Sequence, residues 1–266
     1  MTGKRDAHER LPELIAAAVR VFTREGYRSA RMSDVAAEMG LSEAAIYRYV
    51  GSKEGLFVLA IRHALLLEDL PEGDLPLSPA PLTATLRDAR DFIAEVVPFG
   101  ALAEALSDPG SWAGPGSWAD PGSPAPGDSA AGLDAAAGLD ATAELEQILR
   151  ELFQLESRTR EAADMLERSA RELPEMADLL NVGIRGPVLA ALTEYLNSGV
   201  QAGTLRRTPD AAATARLVLE TLTWFARHRF SDPDGAAIPD DLAEDTAVDA
   251  LVHALMPVPA SLAVAR

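Results

Sequence analysis

GLSEAAIYRYVGSKEGLF, Gly40 to Phe57, is the stretch that organises the chain. Ser42 is placed to cap a helix from Glu43 to about Val50, which Gly51 ends. Ser52 is placed to cap a longer one, from Lys53 to about Glu68. Just upstream, Ser33 is placed to cap Asp34–Met39, which Gly40 closes. Asp34, Glu43 and Glu54 follow these caps, where acids favour the positive helix end. A short helix, a turn at Gly40-Leu41-Ser42 and a second short helix make a helix-turn-helix over residues 31–50. Before it, LPELIAAAVRVFTRE (residues 11–25) sets Leu14, Ile15, Ala18, Val19 and Phe22 on one helical stripe. Pro12 suits its first turn and Gly26 its end.

In such a motif the second helix enters the major groove with its first residues toward the base edges. Here those are Ser42, Glu43, Ala44 and Ala45. A hydroxyl or carboxylate bonds bases, and alanine methyls touch thymine methyls. Tyr47, Arg48, Tyr49 and Lys53 supply donors at the flanks, where phosphates lie. Arg31 and Ser33, at the start of the motif, complete the candidate contact set. Val35, Ala36, Met39, Leu41 and Ile46 are the residues expected to hold the two helices together. The spacing alone is also satisfied by a helical hairpin with a tyrosine-bearing surface and no nucleic-acid role.

Charge looks adverse at first. The 266 residues carry a formal net charge of −17 and the sequence pI is near 4.6. The distribution is uneven, however. Residues 1–66 hold ten Lys/Arg and eight Asp/Glu, a net of +2, and the rest carries −19. Of these cations, Lys4, Arg5, Arg10, Arg28, Arg31, Arg48 and Lys53 are expected to cluster where DNA would meet the head. The acidic body is screened from a partner there beyond about 8–10 Å.

The rest of the chain predicts an all-α fold. Hydrophobic residues make up 48% and aromatics only 5%, the apolar mass being mostly Ala, Leu and Val. Without cysteine, disulfides and thiolate metal sites are excluded. MTGKRDAHER shows no apolar signal core, and no run approaches a membrane span, so a cytoplasmic protein is expected. Residues 69–82 hold four prolines and read as a linker. Helices are expected over Thr83–Val97, Thr142–Glu172 and Glu175–Ala202, the last interrupted at Gly186-Pro187. Thr208-Pro209-Asp210 reads as a helix start, followed by Ala211, Ala215, Val218, Leu222 and Phe225 on one side. A final helix covers Asp240–Leu255. Residues 107–141 repeat GSWA and AAGLDA and are rich in Gly, Pro, Ser and Ala. They are expected to form a disordered insert, too poor in large side chains to offset the entropy of ordering.

AAAVRVFTREGYRSARMSDVAAEMGLSEAAIYRYVGSKEGLFVLAI (residues 16–61) resembles the TetR family of bacterial transcriptional regulators. The matching pieces are Phe22 with Gly26-Tyr27, Val35-Ala36 with Gly40-Leu41-Ser42, Ile46-Tyr47 with Tyr49, and Ser52-Lys53-Glu54 with Leu56. The resemblance covers residues 8–68 and implies a three-helix DNA-binding domain there. It implies phosphate contacts by Tyr47, Tyr49 and Lys53, and base contacts by Ser42 to Ala45 and by Arg48. The family often has Gly-Thr where this chain has Ala44-Ala45, Phe at Val50 and Thr near Met32. The hydroxyl missing at position 45 leaves one usual contact unfilled.

The resemblance further implies that residues 83–266 form a helical effector-binding and dimerisation domain. A homodimer through 209–229 and 240–255 would bind a palindromic double-stranded operator as a repressor, released by a small-molecule effector. Phe92, Phe99, Phe153, Met165, Met176, Tyr195, Trp224 and Phe225 are candidates to line an apolar pocket, and each suits ordinary core as well. Arg227 and His228 could orient an anionic ligand or meet helix-end carbonyls. No metal or cofactor is expected: His8, His63, His228 and His253 lack ligand spacing, and no nucleotide loop or nucleophile elbow occurs. Two alternatives stay open. One is a helical regulator without DNA binding that acts through protein contacts, and the other is an enzyme on a different helical scaffold.

Overall fold

A computed structural model describes residues 10–64, 74–96, 100–107 and 129–257. Every extended element in these residues is helical, as the Ala- and Leu-rich composition predicts, and none is long and apolar enough to cross a membrane. The helices are α1 (Leu11–Glu25), α2 (Met32–Glu38), α3 (Glu43–Ile46), α4 (Lys53–Ala64), α5 (Leu82–Val96), α6 (Gly100–Ser107), α7 (Ser129–Arg158), α8 (Arg160–Ala170) and α9 (Pro174–Asp178). A π-helical turn, Leu179–Arg185, leads into α10 (Gly186–Ala202), then α11 (Ala211–Ala226), a 3-10 turn (His228–Ser231), α12 (Pro233–Ala236) and α13 (Asp240–Leu255).

The chain divides into two compact units, Met1–Val97 with Thr159–Gly186, and Pro98–Arg158 with Pro187–Arg266. In the first, α1 packs against α4 and α8 and touches α2, while α5 covers α4 and the π-helical turn. Phe22 meets the edge of Phe57 at 4.9 Å between centroids, and Tyr27 lies 4.6 Å from Phe57. Leu14, Ile15, Ile46, Leu59, Ile61, Met165 and Met176 fill in around them. Each large side chain so buried stabilises by about 1.5–3 kcal/mol against leaving it exposed. The helical stripe legible in residues 11–25 is thus the face α1 presents to this core.

In the second unit, α7 packs against α6, α11 and α13, and α11 against α13. Arg150 on α7 reaches Glu146 at 2.9 Å, Asp245 at 2.9 Å and Glu244 at 3.4 Å, tying α7 to α13. Arg229 is buried and pins the turn between α11 and α13. It donates to the carbonyls of Phe225 (2.6 Å) and Ile238 (2.5 Å) and pairs with Asp240.

Several expected boundaries move. Ser33 does not cap α2: the helix begins at Met32, Arg31 holds the cap position, and the Asp34 carboxylate accepts from the Arg31 amide at 2.8 Å. The helix from Glu43 stops at Ile46 and tightens into single turns, Tyr49 N–H bonding to Ile46 at 2.8 Å. The helix expected after Thr208 starts at Ala211, capped by Asp210, which accepts from the Ala213 amide at 2.6 Å. Pro209 therefore lies outside it. The long pattern 142–172 breaks at Thr159. Pro187 has no N–H to continue a regular ladder, and just before it the Gly186 amide reaches back five residues to the Asn181 carbonyl.

The expectation of disorder over 107–141 is overturned in part. Ser107 ends α6, and residues 129–141 form the first turns of α7. Alanine dominates AAGLDAAAGLDA, and adding turns to a helix already nucleated by Thr142–Arg158 costs far less than starting one. Residues 108–128, with Trp112 and Trp118, lie outside the described residues.

Candidate nucleic-acid interface

The turn of the helix-turn-helix follows from Gly40. Its φ of +63° is the left-handed region that a side chain disfavours. With Gly40 there, the Leu41 amide bonds the Ala36 carbonyl at 2.8 Å and the Gly40 amide bonds Ala37 at 3.1 Å. This pair of reversed bonds closes α2 and re-aims the chain into α3. Val35 and Ala36 of α2 and Ile46 of α3 are buried, as expected of the residues that lock the two helices.

The outward face of α3 and the turn after it carries Ser42, Glu43, Ala44, Tyr47 and Arg48, all exposed. The Ser42 hydroxyl makes no capping bond, contrary to its expected role, which leaves it available as donor or acceptor. Tyr47 is 42% exposed, unusual for an aromatic side chain. Arg28, Arg31 and Arg48 are exposed, and no ion pair engages them among the described residues. Arg20 and Arg24, by contrast, are tied to Glu38, with Arg24 at 2.9 Å. Those bonds hold the Glu38 carboxyl below its ordinary range, Arg24 contributing most. Ser33 is exposed on the second position of α2.

Two sequence candidates face inward. Ala45 is 6% and Tyr49 8% exposed, both packed into the head. Tyr49 instead uses its backbone: its carbonyl accepts from the Leu77 amide at 2.7 Å, and Val50 bridges Leu77. Residues 74–81, read as a plain linker, thus run as a strap along the end of the reading turn. The strap is fastened a second time where the Glu54 carboxylate accepts from the Leu82 amide at 3.3 Å. Periodicity carries no signal for one isolated bridge, so sequence reasoning missed it.

Lys53 is half-buried. Its ammonium donates to the Arg28 carbonyl at 3.1 Å and lies 4.9 Å over the Tyr27 ring. Burial lowers its pKa from the ordinary lysine value, opposed by Glu172 and Asp34. Ser52 caps α4 as the sequence predicts, accepting from the Gly55 amide at 3.0 Å.

The pocket candidates fall in different units. Met165 and Met176 belong to the core of the first. Phe153 and Tyr195 are buried in the second, where burial and Glu144 raise the Tyr195 hydroxyl's pKa far above the usual value. Trp224 and Phe225 stack edge to face at 5.0 Å on α11, and Trp224 is partly exposed. Arg227 is buried and bonds Glu156 at 3.1 Å, with His228 beside it. Phe92 and Phe99 lie outside the residues whose side chains are described, as do Lys4 and Arg5.

Residues 14–60 match the family model of bacterial regulatory proteins, tetR family. The likeness to this family rests on that segment, the head of the chain. The matched segment contains the whole of α2, the Gly40 turn and α3. The chain is also similar to an HTH-type transcriptional repressor, NicS, of Pseudomonas putida, 32% identical over 80 residues. That stretch is 30% of this chain and 38% of the relative, so the match spans under two fifths of the curated protein. Among solved structures, two HlyIIR variants share the fold with TM-scores of 0.50. One carries a linker with two thrombin sites and is 14% identical, covering 94% of this chain and 99% of that one. The other has an alanine-substituted segment and is 13% identical, covering 94% and 97%.

Proposed function

We propose that this chain is a TetR-family, sequence-specific, DNA-binding transcriptional regulator that acts as a repressor. Its operator is palindromic double-stranded DNA, and a small-molecule effector releases it. The observation that carries this is the exposed cluster of Ser42, Glu43, Tyr47 and Arg48, flanked by Arg28 and Arg31, inside the family-matched segment. Base edges would meet Ser42, Glu43, Ala44 and Arg48; phosphates would meet Tyr47, Arg28, Arg31 and Lys53. Ala45 and Tyr49 would act indirectly, by packing and through the Tyr49 carbonyl.

Binding of this kind gains from two heads spaced one helical turn of DNA apart, which a homodimer supplies. Leu217 (61% exposed) and Trp224 lie seven residues apart on α11, and Leu242 on α13 is 54% exposed. Apolar side chains left outward on these two helices support dimerisation through 209–229 and 240–255. The activity so proposed is regulatory and not enzymatic, in the cytoplasm. Effector binding must favour a dimer whose heads are misplaced for successive major grooves, and a coupling of about 1–3 kcal/mol is a typical scale.

Selection of bound fragments from random genomic DNA, followed by salt titration on the recovered duplex, tests this. Affinity is expected to fall steeply with salt, log K dropping by about 0.9 per log unit for each phosphate neutralised. Affinity indifferent to salt, or no fragment recovered, would leave the protein-contact regulator as the surviving alternative.

A further inference from the structure

The turn between α1 and α2 is held from both sides of one residue. The Arg28 amide donates to a Glu172 carboxylate oxygen at 2.6 Å, and the Arg28 carbonyl accepts from the Lys53 ammonium at 3.1 Å. Glu172 comes from the segment that follows α8. Nearby, an Arg168 guanidinium nitrogen donates to the Glu25 carbonyl at 3.3 Å, a second clasp on the same turn. Gly26 makes room for the carboxylate: a Cβ there would lie 2.4 Å from Glu172 Oε1. The φ of +82° at Gly26 sets the turn in a conformation that glycine alone adopts freely. Chain segments more than 140 residues apart therefore converge on the peptide that supports Lys53.

We propose that Glu172 is a positioning residue for DNA binding. It fixes the Gly26–Arg28 turn on which the Lys53 ammonium rests, and so sets how Lys53 and Arg28 approach phosphate. This rests on the DNA-binding function proposed above. The carboxylate does not touch the nucleic acid; it acts through the Arg28 peptide. A carboxylate accepting a backbone N–H makes a short, charge-assisted bond that fixes geometry better than a water would.

A double-mutant cycle on the full chain tests this, with a labelled duplex recovered by the selection and thermal unfolding run on every variant. Lys53→Ala is expected to weaken binding about tenfold in the native background but under about twofold when Glu172→Ala is present, the non-additivity of residues in one network. Glu172→Gln keeps an oxygen to accept from Arg28 and should bind within about twofold of the native chain. Hydrogen exchange at the Arg28 amide, read without DNA, should be slow in the native chain and in Glu172→Gln and fast in Glu172→Ala. A Lys53→Ala effect of equal size in both backgrounds, or Arg28 exchange untouched by Glu172→Ala, would overturn the proposal while leaving DNA binding standing. A folded native chain that binds no duplex would remove the proposed function itself.

Discussion

Gly26 and Gly40 both turn the chain at positive φ, yet for different neighbours. Around Gly40 there is open space within 4 Å, so only the backbone conformation resists a side chain. Gly40→Ala should therefore cost about 1–2 kcal/mol, the strain of the left-handed region alone. At Gly26, φ +82° with ψ 167° lies in a region essentially reserved for glycine, and a Cβ would also push the Glu172 carboxylate, the movable end of its side chain, off its seat. Gly26→Ala is thus expected to lose more stability than Gly40→Ala in urea unfolding, and equal losses would contradict the tight seating of Glu172. Tyr49 shows the limit of residue typing. Its phenol made it a phosphate-contact candidate, yet the residue is packed inward and its backbone carbonyl receives the Leu77 amide.

A helix-turn-helix needs its second helix aimed, and here α3 is only four residues long. So short an element has little rigidity of its own. Its direction is fixed by the Gly40 turn before it and by the strap behind it, through the Val50–Leu77 bridge. Leu77→Pro removes the amide that Tyr49 receives. A buried acceptor left unpaired costs about 1–3 kcal/mol, which urea unfolding would read. The same variant should also narrow the affinity ratio between selected and random duplexes. A full stability loss with an unchanged ratio would make the strap purely structural. The start of α7 teaches the converse about low complexity: AAGLDA repeats lack bulky side chains, but they are rich in alanine and extend a helix that a better-packed segment has begun.

For the whole molecule, net charge is a poor guide to partner. The −17 total conceals a head in which Arg28, Arg31 and Arg48 are exposed and carry no ion pair among the described residues, while Arg150 and Arg227 in the second unit are tied to carboxylates. Apolar side chains exposed on α11 and α13 belong to the same scale, and the proposed dimer would cover them with a second copy. Leu217→Glu combined with Leu242→Glu should halve the mass seen by light scattering. Duplex affinity should fall with it, because each head would then bind one half-site alone. A dimer that survives both changes would move the interface elsewhere.

Local chemistry wrote much of this protein plainly. Helix periods, the Ser52 cap, the glycine stops at Gly26 and Gly40 and the order of tyrosines, arginine and lysine around α3 are all short-range patterns, set by steric and hydrogen-bonding rules within a few residues. What the folded chain alone decided is long-range: that Ala45 and Tyr49 turn inward, that residues 74–81 bridge the reading turn, and that Glu172 grips the peptide beneath Lys53. Each depends on which distant surface a side chain or amide meets once the cores close. Pairings across 27 or 144 positions leave no periodicity to read, because one hydrogen bond constrains geometry without constraining the residues between its ends.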